Sequence, residues 1–219
     1  MSNDNNQQRK DKTKQMTMRP LTGDSPLSND GENVIATLQQ TRRFLGEVAK
    51  LLQTADAAME NGSWSTYDSK AVRPSTTITT ADKWLPEFAF RYYQNEDQKH
   101  LLPFIAVLFD YEDEEIKLKR LREPLLTAGW YDYGTGGTFE DYSFWDAVIH
   151  VYVREWEADG KWHQSDPRTI FRKSWGIRTA VRCRSLALPL MSFASAEDLT
   201  QRVVEPLLED IRSFPGKAK

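Results

Sequence analysis

The chain has 219 residues, 39% apolar and 28% charged, with a formal net charge of −3. That is enough chain for one sizeable core. It excludes a wholly disordered protein and a global field strong enough to draw the molecule to nucleic acid or an anionic membrane. Cys183 is the only cysteine, so no internal disulfide and no cysteine-built zinc site can form. No apolar run is long enough to span a bilayer and no signal-peptide stretch opens the sequence, so a cytoplasmic protein without a membrane partner is expected.

Residues 1–30 are rich in Asn, Gln, Lys, Asp and Ser and read as a disordered polar tail. Residues 31–219 read as a single α+β domain. Asp30 suits an N-cap, with Glu32 in the first turn of a helix over 31–62. Val34, Leu38, Thr41, Leu45, Val48, Leu52, Ala55 and Met59 recur at steps of four and three, and Asn61-Gly62 ends the pattern. This stripe fits one helix against a core, or a helix pair across a dimer interface where Thr41 and Ala55 permit close approach.

Thr76–Thr80 is β-prone and reads as an edge strand or a loop. Over 84–93, Pro86 fits the first turn of a helix that carries Leu85, Phe88 and Tyr92 on one core-facing side. Three segments read as strands: 101–111, apolar on both faces; 145–157, alternating and running into the turn dipeptide Asp159-Gly160; and 177–190. Helices are expected at 114–128 and 196–212. These two strand–helix units align over 108–126 and 190–208 with seven identities in nineteen positions, including a shared Glu-Pro-Leu-Leu. The fold expected is α+β: an antiparallel or mixed sheet of three to five strands packed with helices in a sheet–helix core over 101–213, plus the long N-terminal helix. If the repeat is structural, that core is a ferredoxin-like β-α-β-β-α arrangement.

Three groups of residues could carry function. A loop over 130–145 gathers Trp130, Tyr131, Tyr133, Tyr142 and Phe144 around a glycine-rich centre, and aromatic-edged surface loops suit protein partners. Alternation on two strands sorts Arg178, Arg182 and Arg184 onto one face, and likewise His150, Tyr152, Arg154 and Trp156. If those strands pair, guanidinium groups and rings would meet phosphates and stacked bases. Cross-strand ion pairing, or a face laid against an acidic helix, is the structural alternative. Third, Asp110 at one strand end and Glu155 at another are carboxylates that could hold a divalent cation for phosphoryl transfer. Acids beside Asp110 also suit a helix N-terminus.

No other chemistry stands out. His100, His150 and His163 have no metal-ligand spacing, Cys183 alternates onto an apolar face, and the glycine-rich stretch 134–138 lacks the lysine of a phosphate-binding loop. The leading expectation is a non-enzymatic binding or regulatory module acting through protein contacts, with self-association through the heptad helix and no cofactor. A nucleic-acid-binding protein comes second and a metal-dependent phosphoryl-transfer enzyme third.

Overall fold

The computed structural model describes residues 28–67, 86, 88–109, 123–134, 158–165 and 181–214. Helix α1 spans Ser28–Asn61, starting two residues before the expected cap and leaving Asp30 within the first turn. The chain divides into two compact units, Met1–Arg42 and Arg43–Lys219, and the division falls inside α1.

In the second unit six strands form one sheet: β1 Ser65–Thr66, β2 Phe88–Gln94, β3 Leu101–Leu108, β4 Leu125–Asp132, β5 His163–Ser165 and β6 Arg182–Pro189. Their spatial order is β1-β2-β3-β4-β6-β5, and every adjacent pair runs antiparallel. A 3₁₀ turn at Leu190–Ser192 leads into α2 (Ala196–Leu199), a π-helical turn at Thr200–Val204, and α3 (Glu205–Ser213).

The expected central strand is β3, all of whose residues are buried. The expected helix over 196–212 is α2 through α3, opened by Ser195, whose hydroxyl accepts from the Asp198 amide at 3.1 Å. Pro206 lies at the start of α3. It has no N–H to give the carbonyl four residues back, and the helix absorbs that loss with the π turn, in which the Glu205 amide reaches back to the Thr200 carbonyl.

Four expectations are corrected. Among the described residues the sheet has six strands, where three to five were expected. The stretch expected to be a helix from Pro86 is strand β2, because Phe88, Phe90 and Tyr92 line one face of the sheet while Ala89 and Tyr93 line the other. Residues 125–128, expected to close a helix, open strand β4, and 130–132 continue it where a loop was expected. The Glu-Pro-Leu-Leu repeat therefore has two structures: at 123–126 it leads into a strand, and at 205–208 it starts a helix. It gives no support to a symmetric ferredoxin-like core. The expected strands and helices that cover 68–85, 110–122, 135–157 and 166–180 lie outside the described residues.

One face of the sheet carries Ala89, Tyr93, Ile105, Val107, Leu126, Ala128 and Trp130. It shares a core with Val48, Leu52, Ala55 and Met59 of α1 and with Leu207, Leu208 and Ile211 of α3. Two helix carboxylates lock this layer down. Asp56 takes both Nε and Nη2 of Arg91, at 3.0 and 2.8 Å, and the Tyr93 hydroxyl at 3.1 Å. Asp210 takes the Trp130 indole N–H at 2.7 Å and Arg184 Nη2 at 2.8 Å. The opposite face carries Phe88, Phe90, Tyr92, Phe104, Tyr131 and Cys183, all buried, with Phe104 stacked on Tyr131 at 5.1 Å.

One glycine is dictated by proximity. At Gly129 an added Cβ would overlap the Arg184 carbonyl oxygen and stand 2.8 Å from the Phe104 ring, so β4 can approach β6 only without a side chain there. At Gly62 it would stand 2.7 Å from Leu208 Cδ1, a side-chain end that can move aside. The left-handed residue that ends α1 is Ser63, with φ 68°.

Candidate interaction surface

The α1 stripe foreseen in the sequence is spent unevenly. From Val48 onward its members are buried in the core of the second unit. In the first unit, every residue from Asp30 to Gln40 is exposed. Val34, Ile35 and Leu38 keep 59%, 57% and 50% of their surface accessible. At 100° per residue Ile35 and Leu38 sit close together on one face, Val34 flanks them, and Gly31 and Arg42 fall one turn beyond on either side.

Of the polar groups on this segment, Gln39 borders the face beside Ile35, Thr41 flanks it, and Thr37 lies on the far side of the helix. Thr37 and Thr41 turn their hydroxyls inward, donating to the carbonyls of Asn33 at 2.8 Å and Thr37 at 3.0 Å, which leaves their methyl groups outward. Asp30 and Glu32 stand at one end and Arg42 at the other. None of the three takes part in an ion pair among the described residues. The result is a short apolar patch with acid at its N-terminal end and base at its C-terminal end. Ile35 belongs to this patch although the four-three spacing passes over it; the signal was simply a branched apolar residue beside Val34 on an otherwise polar segment.

Three of the five rings expected at a partner surface are inside the fold. Trp130 and Tyr131 are in β4 and fully buried, and Tyr133, just beyond it, is buried too. Buried rings give a partner no contact area. Tyr142 and Phe144 lie outside the described residues.

The arginine face divides in the same way. Strand alternation does put Arg182 and Arg184 on one side of β6 and Cys183 on the other. Their side is the one that α3 packs against. Arg184 is paired with Asp210; Arg182 reaches Asp132 Oδ2 at 3.1 Å and lies over the Phe214 ring at 4.3 Å. Both guanidinium groups thus have carboxylate partners inside the fold, the ion-paired arrangement set against phosphate binding above. Arg178, His150, Tyr152, Arg154 and Trp156 lie outside the described residues.

Asp110 and Glu155, the carboxylates considered for a metal, also lie outside them. Among the described residues no group of three or more His, Cys, Asp or Glu side chains could hold a metal ion. His163 lies 3.3 Å from Asp159, which also accepts the Lys161 amide at 2.9 Å. That amide bond, and then the Lys161 and His163 side chains, outweigh desolvation and hold the Asp159 carboxyl down to about 2. This is a turn built on Asp159-Gly160, with Gly160 at φ +68° as the turn requires. Among the described residues no helix is long and apolar enough to cross a membrane.

No family model, curated protein or solved structure matches the chain. The functional reading rests on the residues themselves.

Proposed function

We propose that this chain is a non-enzymatic binding module that acts through protein–protein contacts made by the first half of α1. The observation that carries the reading is the exposed patch of Val34, Ile35 and Leu38, three branched apolar side chains at least half exposed on one side of the helix. A helix face of this kind is recognised by laying it into a complementary groove or against another helix, with anchors at i, i+3 and i+4. Complete burial of such a side chain from full exposure is favourable by roughly 1.5–3 kcal/mol; with 50–59% of their surface open, these three each have about half of that left to gain, which suits a weak, reversible contact. The second half of the same helix is held by the core and by the Asp56–Arg91 pair, which supplies a folded body to carry the contact.

The test is a photo-crosslinking amino acid placed at Leu38 in the full chain, with a second version at Gln40 on the other side of the helix. Crosslinks from position 38 to a polypeptide, without the same product from position 40, are expected. Equal labelling from both positions, or none from 38, overturns the proposal.

A further inference from the structure

Resting on that reading of α1, we infer that the partner of the exposed face is a second copy of this chain, docked antiparallel about a twofold axis. The ground is self-complementarity. The face has acid at one end (Asp30, Glu32), apolar residues in the middle (Val34, Ile35, Leu38) and base at the other end (Arg42). Turning a copy end for end and centring the pair between Ile35 and Leu38 sets Ile35 of each copy against Leu38 of the other. The same register brings Arg42 opposite Gly31, between Asp30 and Glu32 of the second copy. A parallel pair would instead put the two arginines together and the four acids together.

Two further features agree with this orientation. Antiparallel alignment opposes the two helix dipoles, where a parallel pair would add them. Gly31 has nothing within 4 Å of where a Cβ would be, so its absent side chain leaves room for the partner's Arg42. An interface in which the same patch meets itself about a twofold is the form most homodimers take. The segment Asp30–Arg42 is about 20 Å long, well short of the area of a permanent dimer, so the pair is a reversible, concentration-dependent one.

The experiment is sedimentation velocity on the full chain over a concentration series from about 1 μM to 1 mM, a range that covers weak reversible pairs. The wild-type chain should shift from monomer to dimer within that range. Leu38→Glu should weaken the dimer at least tenfold, and because Leu38 is exposed the variant keeps its fold, checked by circular dichroism. Arg42→Glu should also weaken it, and combining that change with Asp30→Arg and Glu32→Arg should restore it, which a purely structural effect would not do. Orientation is read from Gly31→Cys. The antiparallel register holds the two introduced thiols about 16 Å apart, so mild oxidation gives no disulfide dimer, whereas a parallel pair would link readily; the native Cys183 is buried. A wild-type chain that stays monomeric to 1 mM, or a disulfide-linked dimer of the Gly31→Cys variant, overturns the inference. Monomer together with site-specific crosslinks from position 38 to a different polypeptide would reject the second copy while leaving the protein-binding reading intact. Monomer with no such crosslinks would reject both.

Discussion

Asp210 is the point at which helix α3 is fastened to the sheet, and Asp210→Ala should cost about 1.5–4 kcal/mol of stability. Two interactions are lost together. The Trp130 indole N–H, on a ring with no accessible surface, loses the acceptor at 2.7 Å. A buried donor left unsatisfied costs about 1–3 kcal/mol. Arg184 loses the carboxylate at 2.8 Å, but its side chain is 29% exposed and water can replace part of the bond, so this loss adds only about 0.5–1 kcal/mol. Arg184 Nε already lacks a hydrogen-bond partner among the described residues, and the guanidinium's other contact, over the Trp162 ring at 5.7 Å, supplies no acceptor to replace the carboxylate.

The assay is urea denaturation of the wild-type chain, Asp210→Ala, Trp130→Phe and the double variant. Trp130→Phe keeps a ring against Phe214, whose centroid lies 4.5 Å away, and deletes only the donor and some volume. In that background Asp210→Ala should cost about 1–2 kcal/mol less than in the wild type, the coupling expected for groups in direct contact. Asp210→Asn, which retains an acceptor oxygen, should lie between wild type and alanine. A loss below about 0.5 kcal/mol for Asp210→Ala, or an equal loss in both backgrounds, would refute the claim that this carboxylate holds the helix through the indole.

Gly129→Ala should be the most damaging single-methyl change in the sheet, at about 3 kcal/mol or more, because the new Cβ meets the Arg184 carbonyl and the Phe104 ring; near-normal urea stability would contradict the close approach of β4 and β6. Gly46→Ala, in an open stretch of α1 with nothing within 4 Å, should instead raise stability by about 0.5–1 kcal/mol in the same assay. Burial, followed by the nearby Asp56 carboxylate, pushes the Tyr93 phenol well above its ordinary value. The protonated form is thus favoured in the fold, and its contribution is complete below about pH 10 and lost as pH rises beyond it. Absorbance titration against Tyr93→Phe should show this phenol ionising only on alkaline unfolding; ionisation near pH 10 with the fold intact would contradict it. The Asp159 carboxyl, held down to about 2 by the Lys161 amide, should titrate by NMR near that value. The turn it stabilises should persist through about pH 4, where an ordinary aspartate protonates, and weaken only as pH falls toward 2. A midpoint at the ordinary aspartate value would count against the turn geometry.

Where a segment had one buried side, its pattern was readable. The stripe of α1, the alternation that separates Arg182 and Arg184 from Cys183, and the capped helix after Ser195 all emerge from spacing alone. Strand β3 was readable for another reason, a continuous apolar run too short and too bracketed for a helix. Strand β2 was not, because both of its faces are buried. Phe88, Phe90 and Tyr92 on one side and Ala89 and Tyr93 on the other leave only Arg91 and the terminal Gln94 as polar positions, too few to mark a period of two, and Phe88 with Tyr92 happens to fit a helical step of four. The two Glu-Pro-Leu-Leu segments show the limit of local sequence most clearly. The fixed φ of proline suits both an extended entry to a strand and the first turn of a helix. The residues after the repeat decide between them: Thr127-Ala128-Gly129 continues a strand between β3 and β6, whereas Glu209-Asp210-Ile211 continues an amphipathic helix. Asp56 and Asp210 carried a signal that spacing does contain, since each falls among the apolar positions of its helix beside Met59 or Ile211. An acid in such a stripe is expected to find a buried partner, but the partner's identity needed the fold. For the surface patch, the sequence showed the stripe but not which half of it the core would consume.

Whether the first half of α1 is an open face that another chain covers can be measured residue by residue, by amide hydrogen exchange on the full chain. In dilute solution the amides of 34–42 should exchange much faster than those of Val48–Met59, which lie under the sheet. As the chain is concentrated, protection should appear selectively at 34–42 while 48–59 stay unchanged. Equally slow exchange of both segments at every dilution would mean the face is already covered within the chain. Fast exchange at 34–42 even in the most concentrated sample would mean that no second copy covers it.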